Sequence, residues 1–163
     1  VLDANALLAY FFDEPGGDRI HELIESSDQG SSRLYTSVIN VAETLYWTQR
    51  RRGTVAFAEI ADGLPSLPIE QVSIDHVLSI EAARLKASNP IALADCYAAA
   101  LALRLGATLV TGGSEFREFR EFEPQLAIER LSKSFTTQRG STHAALAGIT
   151  ITYSGWKPMP SWV

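Results

Sequence analysis

The sequence predicts a three-layer α/β/α fold, in which a central parallel sheet of four to five strands carries helices on both faces. Short apolar or alternating segments, typical of strands, alternate along the chain with longer segments of helical periodicity. This alternation favours a parallel sheet, because parallel strands are joined through crossover helices. The length of 163 residues suits one globular domain, and a hydrophobic content of 46% is enough for a sizeable core.

Five segments have strand patterns and six have helical patterns. The predicted strands lie at 1–5, 34–36, 69–74, 107–110 and 126–131. The predicted helices lie at 6–12, 18–26, 38–52, 54–64, 76–87 and 90–105. We place one domain at 1–131. Residues 132–163 form an atypical C-terminal extension of unknown role, because the composition becomes rich in Ser, Thr, Gln and Gly there, apart from an alternating segment at 149–153.

Turn residues and caps set the boundaries of the first helices. The break at Pro15-Gly16-Gly17 separates the first two. Ser37 is a good N-cap for the third helix, and Gly53 ends it. The fourth helix is closed by the prolines at positions 65 and 68, and Asp75 is the expected N-cap of the fifth.

The last predicted helix is the most apolar one in the chain. Asn89 is its expected N-cap, and Pro90 would occupy the first helical position, where a proline costs nothing. Gly106 is the expected end of this helix.

Composition restricts the classes of function. The net charge of -5 provides no overall field for nucleic acid, so a polyanionic partner would have to meet a local basic patch or bound cations. The single cysteine, Cys96, excludes an internal disulfide and a cysteine-rich zinc site, and favours a reducing, cytoplasmic location. No segment approaches the roughly 18 apolar residues of a membrane helix, so no membrane partner is expected.

Asp95 is an acid in an apolar helix. Its neighbours on the same helical face are Ile91 and the alanines at 98, 99 and 102. A buried carboxylate is costly unless it is paired or binds a metal ion. The alternative is that Asp95 lies in the first turns, where it complements the helix dipole. Taken alone, Asp95 fits both interpretations equally well.

Glu43 and Asp3 repeat the pattern. Glu43 has Ile39, Tyr46 and Trp47 on its helical face, and the alternative for it is a glutamate that extends its charge to solvent. Asp3 follows an apolar strand, and its alternative is an ordinary helix N-cap.

The combination of these acids is more informative than any one of them. Asp3, Glu43 and Asp95 each fall at a strand end or an early helical turn. In an open parallel sheet such positions converge at the carboxyl edge, where ligands bind. Clustered carboxylates repel one another and invite a hard divalent cation such as Mg²⁺ or Mn²⁺.

At these residues the chain resembles the PIN-domain nucleases, especially the VapC-type toxins of prokaryotic toxin–antitoxin pairs. The resemblance covers roughly 1–131, and each matching block is short, so that only the four together are fairly specific. The matching blocks are Val1-Leu2-Asp3-Ala4-Asn5-Ala6-Leu7-Leu8-Ala9-Tyr10-Phe11, Asn40-Val41-Ala42-Glu43, Ala94-Asp95-Cys96-Tyr97-Ala98-Ala99-Ala100 and Leu109-Val110-Thr111-Gly112.

The resemblance implies a Mg²⁺- or Mn²⁺-dependent endoribonuclease, with Asp3, Glu43 and Asp95 holding the metal ion and its attacking water. It also implies that Asn5 braces the acids by hydrogen bonding, with Thr111 as a second supporting residue.

The last matching block departs from the family. A further acid is common two residues after its threonine, and this chain has Gly113 there. Glu115 matches a neighbouring position that is frequently acidic and is a candidate catalytic substitute. The missing acid leaves an alternative open: a weakened or inactive PIN-like domain that binds RNA or a partner protein without cleaving.

Other folds with a similar start lack support. A dinucleotide-binding fold needs a Gly-x-Gly-x-x-Gly sequence after its first strand, and Asp3-Ala4-Asn5 occupies that place. The Gly-Lys-Ser/Thr sequence of P-loop proteins is absent. A phosphatase of the dehalogenase type normally needs a second aspartate where this chain has Asn5.

Candidates for RNA binding are the consecutive arginines Arg50, Arg51 and Arg52, with Arg104, Arg117 and Arg120 as further cations. The triplet also ends a predicted helix, where cations favour the dipole. The three histidines, His21, His76 and His143, lie outside the matching blocks and are expected at the surface.

The resemblance further implies a homodimer that is silenced by a small antitoxin protein. The aromatic residues that could line such a contact are Tyr10, Phe11, Phe12, Tyr46 and Trp47, and core packing is an equally good interpretation of each.

Overall fold

The structure, a computed structural model, describes residues 1–113, 116, 125–131, 145–146 and 149–150. The helices are α1 Ala4–Phe11, α2 Gly17–Asp28, α3 Val38–Gly63, α4 His76–Ser88 and α5 Leu93–Leu105, with a short 3-10 helix at Leu64–Ser66. The strands are β1 Leu34–Ser37, β2 Ile69–Val72, β3 Leu109–Thr111, β4 Ile128–Arg130, β5 Ala145–Leu146 and β6 Ile149–Thr150.

The sheet is built from two parallel pairs with residues 1–3 between them. β1 runs parallel to β2, and β3 runs parallel to β4. The Leu2 amide donates to the Tyr35 carbonyl at 2.8 Å, and the Val110 amide donates to the Val1 carbonyl at 2.8 Å. Residues 1–3 therefore join β1 to β3, and the predicted α/β fold with parallel strands is confirmed.

Alternating side chains along the strands face two separate cores. Leu2 and Val110 belong to one core, with Phe11 of α1 and Ile20 of α2. Their strand neighbours Val1 and Leu109 belong to the other core, together with the apolar residues of α4 and α5. Because successive side chains of a strand point to opposite faces, helices cover both faces, as the three-layer prediction requires.

Three of the predicted N-caps are present. The Ala6 amide donates to Asp3 Oδ1 at 2.7 Å, and the Asn40 amide donates to Ser37 Oγ at 3.1 Å. At the start of α4 the Leu78 amide donates to Asp75 Oδ1 at 2.6 Å. Each short polar side chain thus satisfies an amide that the first helical turn leaves without an intrahelical partner.

Gly53 divides α3 into the two helices that the sequence predicts. Its backbone has φ 83° and ψ -174°, a conformation that side chains with a Cβ rarely adopt. The chain resumes helical geometry after Gly53 and reaches Gly63.

The predicted start of α5 is wrong. Asn89 lies at the end of α4 with an extended backbone, and its Nδ2 donates to the Leu85 carbonyl at 2.9 Å. Because its side chain bonds back to the last turn of α4, Asn89 ends that helix and does not cap the next. α5 starts at Leu93, after Ala92. Asp95 consequently lies in the first turn of α5, nearer to its N-terminus than predicted.

The C-terminal extension is described only at β5 and β6, which pair antiparallel. Ile149 and Thr150 fall in the predicted alternating segment, whereas 151–153 lie outside the described residues. The domain boundary at residue 131 stays a prediction. No described helix is both long enough and apolar enough to cross a membrane.

Candidate active site

Asp3 is fully buried at the point where residues 1–3 leave the sheet. Its amide donates to the Val110 carbonyl at 3.3 Å, and its carbonyl accepts from the Leu7 amide at 3.2 Å. The carboxylate accepts the Ala6 amide through Oδ1. The capping interpretation of Asp3 is therefore correct, and this role engages one of its two carboxylate oxygens.

A buried polar network follows the end of the neighbouring strand β1. Thr36 Oγ1 donates to the Leu2 carbonyl at 3.0 Å, next to Asp3. Ser37 Oγ donates to Asn40 Oδ1 at 2.5 Å, and Asn40 Nδ2 donates to the Ala94 carbonyl at 3.2 Å. This network connects the end of β1, the first turn of α3 and the first turn of α5.

The network positions the other two predicted acids. Asp95 follows Ala94 directly and is 7% exposed in the first turn of α5, where the helix dipole favours a negative charge. Glu43 follows Asn40 by three residues on α3 and is half-buried. Asn40 thereby holds together the two helical turns that carry these carboxylates.

The turn after β3 completes this edge of the sheet. Thr111 is fully buried, and its Oγ1 accepts from the Gly113 amide at 3.0 Å. Asn5 is exposed, and its Cβ lies 3.7 Å from where a Cβ on Gly112 would stand. Asn5 thus lies beside the turn that follows Thr111, and Gly113 is part of that turn.

The metal-binding set itself stays a prediction. Among the described residues, no three side chains of Asp, Glu, His or Cys are grouped closely enough to hold a metal ion. Glu115, the proposed substitute for the missing acid, lies outside the described residues.

Burial raises the pKa of the Cys96 thiol to about 11. The positive charge of Lys86 lowers this pKa and the negative charge of Asp95 raises it further, so the thiol is protonated at neutral pH.

The arginine triplet lies against aromatic rings. The Arg50 guanidinium is 5.4 Å from the Tyr46 ring centroid, and the Arg51 guanidinium is 5.1 Å from that of Trp47. Arg51 also pairs with Glu14 at 3.1 Å. The guanidinium of Arg52 is 5.2 Å from the ring of Phe12. The other cations of the prediction, Arg117 and Arg120, lie outside the described residues.

Burial divides the predicted aromatic contact residues. Tyr10, Phe11 and Phe12 belong to the core, which is the alternative that the sequence left open for them. Tyr46 is 47% exposed and Trp47 is half-buried, so these two remain available for a contact. His21 and His76 are exposed, as predicted, whereas His143 lies outside the described residues.

Arg104, a further predicted cation, has a different role. It bonds to Asp75 and to Glu81, at 3.0 Å and 2.8 Å respectively. Its hydrogen bonds hold the pKa of the Asp75 carboxyl below its usual range. Arg104 therefore joins α4 to α5, and a contact between Arg104 and RNA stays a prediction.

A cavity of about 380 Å³ lies elsewhere, at the starts of β1 and β2. It is lined by residues of α2 and of the loops that enter the two strands, which are Ser27, Arg33, Leu34, Leu67, Pro68, Ile69 and Glu70. Because Leu34 and Ile69 begin their strands and the acids lie at strand ends, this cavity is separate from the candidate active site.

Asn40 is a positioning residue that the sequence did not reveal. It belongs to a block that resembles the family, but only Glu43 was selected there. The available signal was the spacing of Ser37 and Asn40 in a first helical turn, together with Thr44 and Thr48 on the same buried face. A buried polar stripe on a helix requires hydrogen-bond partners and so marks a structural network.

We expect Asn40→Ala to lower the free energy of unfolding by about 1–3 kcal/mol. The buried Ser37 hydroxyl and Ala94 carbonyl would each lose a hydrogen bond to the Asn40 side chain. Urea denaturation measures this change. Gln49→Ala is the matched control, because Gln49 is exposed and bonds only to the Thr54 hydroxyl among the described contacts. An equal loss in both variants would show that the network does not stabilise the junction of α3 and α5.

The chain is similar to known proteins in sequence and in fold. The sequence matches the PIN domain family model over residues 1–121. No curated protein matches the sequence. The fold is similar to that of VapBC2 from Rickettsia felis bound to a DNA fragment from its promoter, with a TM-score of 0.64 and 20% identity over 80% of this chain and 97% of that chain.

Two further solved structures share the fold. DNA-bound VapBC from Salmonella typhimurium has a TM-score of 0.61 and 24% identity, over 79% of this chain and 95% of that chain. A toxin–antitoxin complex from Klebsiella pneumoniae has a TM-score of 0.56 and 15% identity, over 77% and 93% respectively. At this level of identity the likeness establishes the fold.

Proposed function

The chain belongs to the PIN domain family, and on that premise we propose that it is a metal-dependent endoribonuclease of the VapC toxin type. The observation that carries the proposal is the position of Asp3. Its carboxylate is fully buried at the carboxyl edge of a parallel sheet, the edge at which open α/β folds bind ligands, and the Asn40 side chain ties the end of the neighbouring strand β1 to the turn that bears Asp95.

The donor chemistry of this edge fits a hard divalent cation. Mg²⁺ is usually bound through one or two carboxylates, with water and substrate phosphate oxygens completing its coordination. Asp3 and Asp95 would supply the two buried carboxylates, and Glu43 on α3 would act through a metal-bound water. When bound, such an ion lowers the pKa of its water and stabilises the charge that develops on a phosphoryl group.

The surrounding residues have supporting roles in this proposal. The Ala6 amide orients the Asp3 carboxylate through Oδ1. Asn40 fixes the turn that precedes Asp95. Thr111 holds the turn after β3 in place through the Gly113 amide, and the exposed Asn5 beside that turn would brace the acids or the substrate. Preorganised acids of this kind pay no reorganisation cost during the reaction.

We expect the purified protein to cleave single-stranded or structured RNA in the presence of Mn²⁺ or Mg²⁺, and to lose this activity on addition of EDTA. A panel of structured RNAs separated on denaturing gels measures it. Cleavage that persists in EDTA would contradict a metal-dependent mechanism.

A second candidate function is favoured by one residue. Gly113 stands where the family commonly has an acid, so the edge has about one unit less negative charge with which to hold cations. The alternative is a PIN domain that binds RNA or a partner protein without cleaving it. Absence of cleavage under every metal condition, with retained RNA binding, would support this alternative.

The proposed assembly is a homodimer that associates with a small antitoxin. The solved structures with similar folds are VapBC or toxin–antitoxin complexes. The described surface also exposes apolar side chains on α4, namely Val77 at 56% and Ile80 at 40%. Exposed apolar side chains near one another are typical of contact surfaces.

Light scattering of the purified chain is expected to give the mass of a dimer, about twice 17.8 kDa. Dimerisation buries apolar surface that a monomer leaves in water. A mass near 17.8 kDa at high protein concentration would contradict the homodimer.

A further inference from the structure

Four side chains near the middle of α3 form a surface that the chemistry of the acids does not use. We call Tyr46, Trp47, Arg50 and Arg51 the aromatic platform. Tyr46 and Trp47 lie with their ring centroids 5.1 Å apart. Arg50 covers both rings, at 5.4 Å and 5.6 Å, and its Nη1 donates to the Tyr46 hydroxyl at 2.6 Å.

The platform is accessible although its residues are large and partly apolar. Tyr46 is 47% exposed, Arg50 and Arg51 are exposed, and Trp47 is half-buried. The buried stripe of the same helix is polar, with Asn40, Thr44 and Thr48, and Trp47 lies at its margin. Trp47 packs partly against the core, whereas Tyr46 and Arg50 are exposed, so core packing does not explain Tyr46.

The platform shares a helical face with Glu43. Residues three, four and seven positions apart lie on one side of a helix, which places Tyr46, Trp47 and Arg50 beside Glu43. The helix rises about 1.5 Å per residue, so Tyr46 is about one turn and Arg50 about two turns from that proposed ligand. A strand of RNA whose scissile phosphate lay at the acids would pass over this face.

The chemistry of the platform fits unpaired nucleotides. Exposed rings and guanidinium planes are surfaces on which unpaired bases stack. Arg50 adds a cation, which donates to the Tyr46 hydroxyl, in a chain whose net charge is -5. Phosphate binding by arginine at this place supplies the local attraction that the overall charge does not.

We infer that the aromatic platform binds an unpaired nucleotide of the RNA substrate, with the base stacked on Tyr46 and its phosphate held by Arg50. This inference rests on the proposed function, and it assigns base binding next to the cleaved bond to this face of α3. A paired base has both faces covered by its neighbours and cannot stack on a side chain.

Binding to two oligonucleotides tests the inference. One is a 12-nucleotide oligouridylate, and the other is the same sugar-phosphate chain without bases. We expect Tyr46→Ala to weaken binding of oligouridylate about 10-fold and to change binding of the base-free chain less than about twofold, because only the first can stack. Arg50→Ala is expected to weaken both, since it removes a phosphate contact.

Fluorescence anisotropy in the Asp3→Asn background measures these affinities without cleavage. Quenching of Trp47 on binding, in a chain with Trp156→Phe and Trp162→Phe, reports contact at the platform directly. Val55→Ala is the matched control, because Val55 is 73% exposed and follows the Gly53 break on α3. It is expected to leave both affinities unchanged.

Unchanged binding of oligouridylate by Tyr46→Ala would overturn the inference, as would an equal loss on both oligonucleotides. If Tyr46→Ala spares RNA binding and weakens association with a protein partner, the platform is a protein contact and the inference is wrong. If the wild type binds RNA through Tyr46 but does not cleave it with any metal ion, the proposed function is wrong. Nucleotide binding by the aromatic platform would still be supported.

Discussion

Asp3→Asn is expected to remove metal-dependent RNA cleavage while leaving the protein folded with nearly wild-type stability. The two roles of Asp3 respond differently to this change. Asparagine caps a helix as well as aspartate does, so the hydrogen bond from the Ala6 amide to Oδ1 is kept. The negative charge, which a divalent cation requires from its ligands, is lost.

The expected loss of cleavage rate is at least about 100-fold, because changes outside the ligand shell already cost about 10- to 100-fold. Asp3→Ala is the companion variant. It removes the cap as well and is expected to lower the free energy of unfolding by about 1 kcal/mol. Initial cleavage rates and urea denaturation of both variants separate the two roles. Full activity in Asp3→Asn would show that Asp3 acts only as a cap and would remove it from the site.

Mn²⁺ is expected to raise the melting temperature of the wild type and to leave that of Asp95→Asn unchanged. A ligand that binds only the folded state stabilises it by about 2.7 kcal/mol at a hundredfold excess over its dissociation constant. For a domain of this size that corresponds to about 5–11 °C. Differential scanning fluorimetry with and without Mn²⁺ measures the shift.

Asp75→Asn is the matched control for this measurement. Asp75 caps α4 through the Leu78 amide as Asp3 caps α1, but it is exposed and pairs with Arg104. This variant is expected to keep the full Mn²⁺ response, whatever its own melting temperature. Equal shifts in the wild type and in Asp95→Asn would place the cation elsewhere on the protein.

The sequence was sufficient for the fold because its local signals agree with one another. Ser37 and Asp75 cap their helices with short polar side chains, and Gly53 adopts a backbone conformation that few other residues tolerate. Such effects depend only on neighbours in the chain. Helices on both faces followed from the alternation of strand-like and helical segments along the chain, which needs no knowledge of tertiary contacts.

Asn89 was placed wrongly because it could cap either the start of α5 or the end of α4. Asparagine is a good N-cap, and proline is favoured just inside a helix. The same asparagine can also satisfy the last carbonyl groups of the helix before it, and Nδ2 does so at Leu85. Which helix an asparagine caps depends on packing between α4 and α5, which the sequence does not show.

Non-local contacts explain what the sequence did not reveal at the site. The hydrogen bond from Asn40 to the Ala94 carbonyl spans 54 positions. The aromatic platform likewise requires that α3 expose Tyr46 while it buries Thr44, a rotation that its composition does not specify. Asp3, Glu43 and Asp95 could be selected because acids are unusual in apolar segments, whereas their mutual arrangement depends on the assembled fold.

The most direct test of the proposed site is a crystal structure of the protein with Mn²⁺, with anomalous scattering recorded to locate the ion. The proposal predicts an anomalous peak at the carboxyl edge of the sheet, within about 2.0–2.2 Å of carboxylate oxygens of Asp3 and Asp95, with Glu43 bound directly or through water. An ion at another place, or an edge that stays empty at Mn²⁺ concentrations that support cleavage, would contradict it.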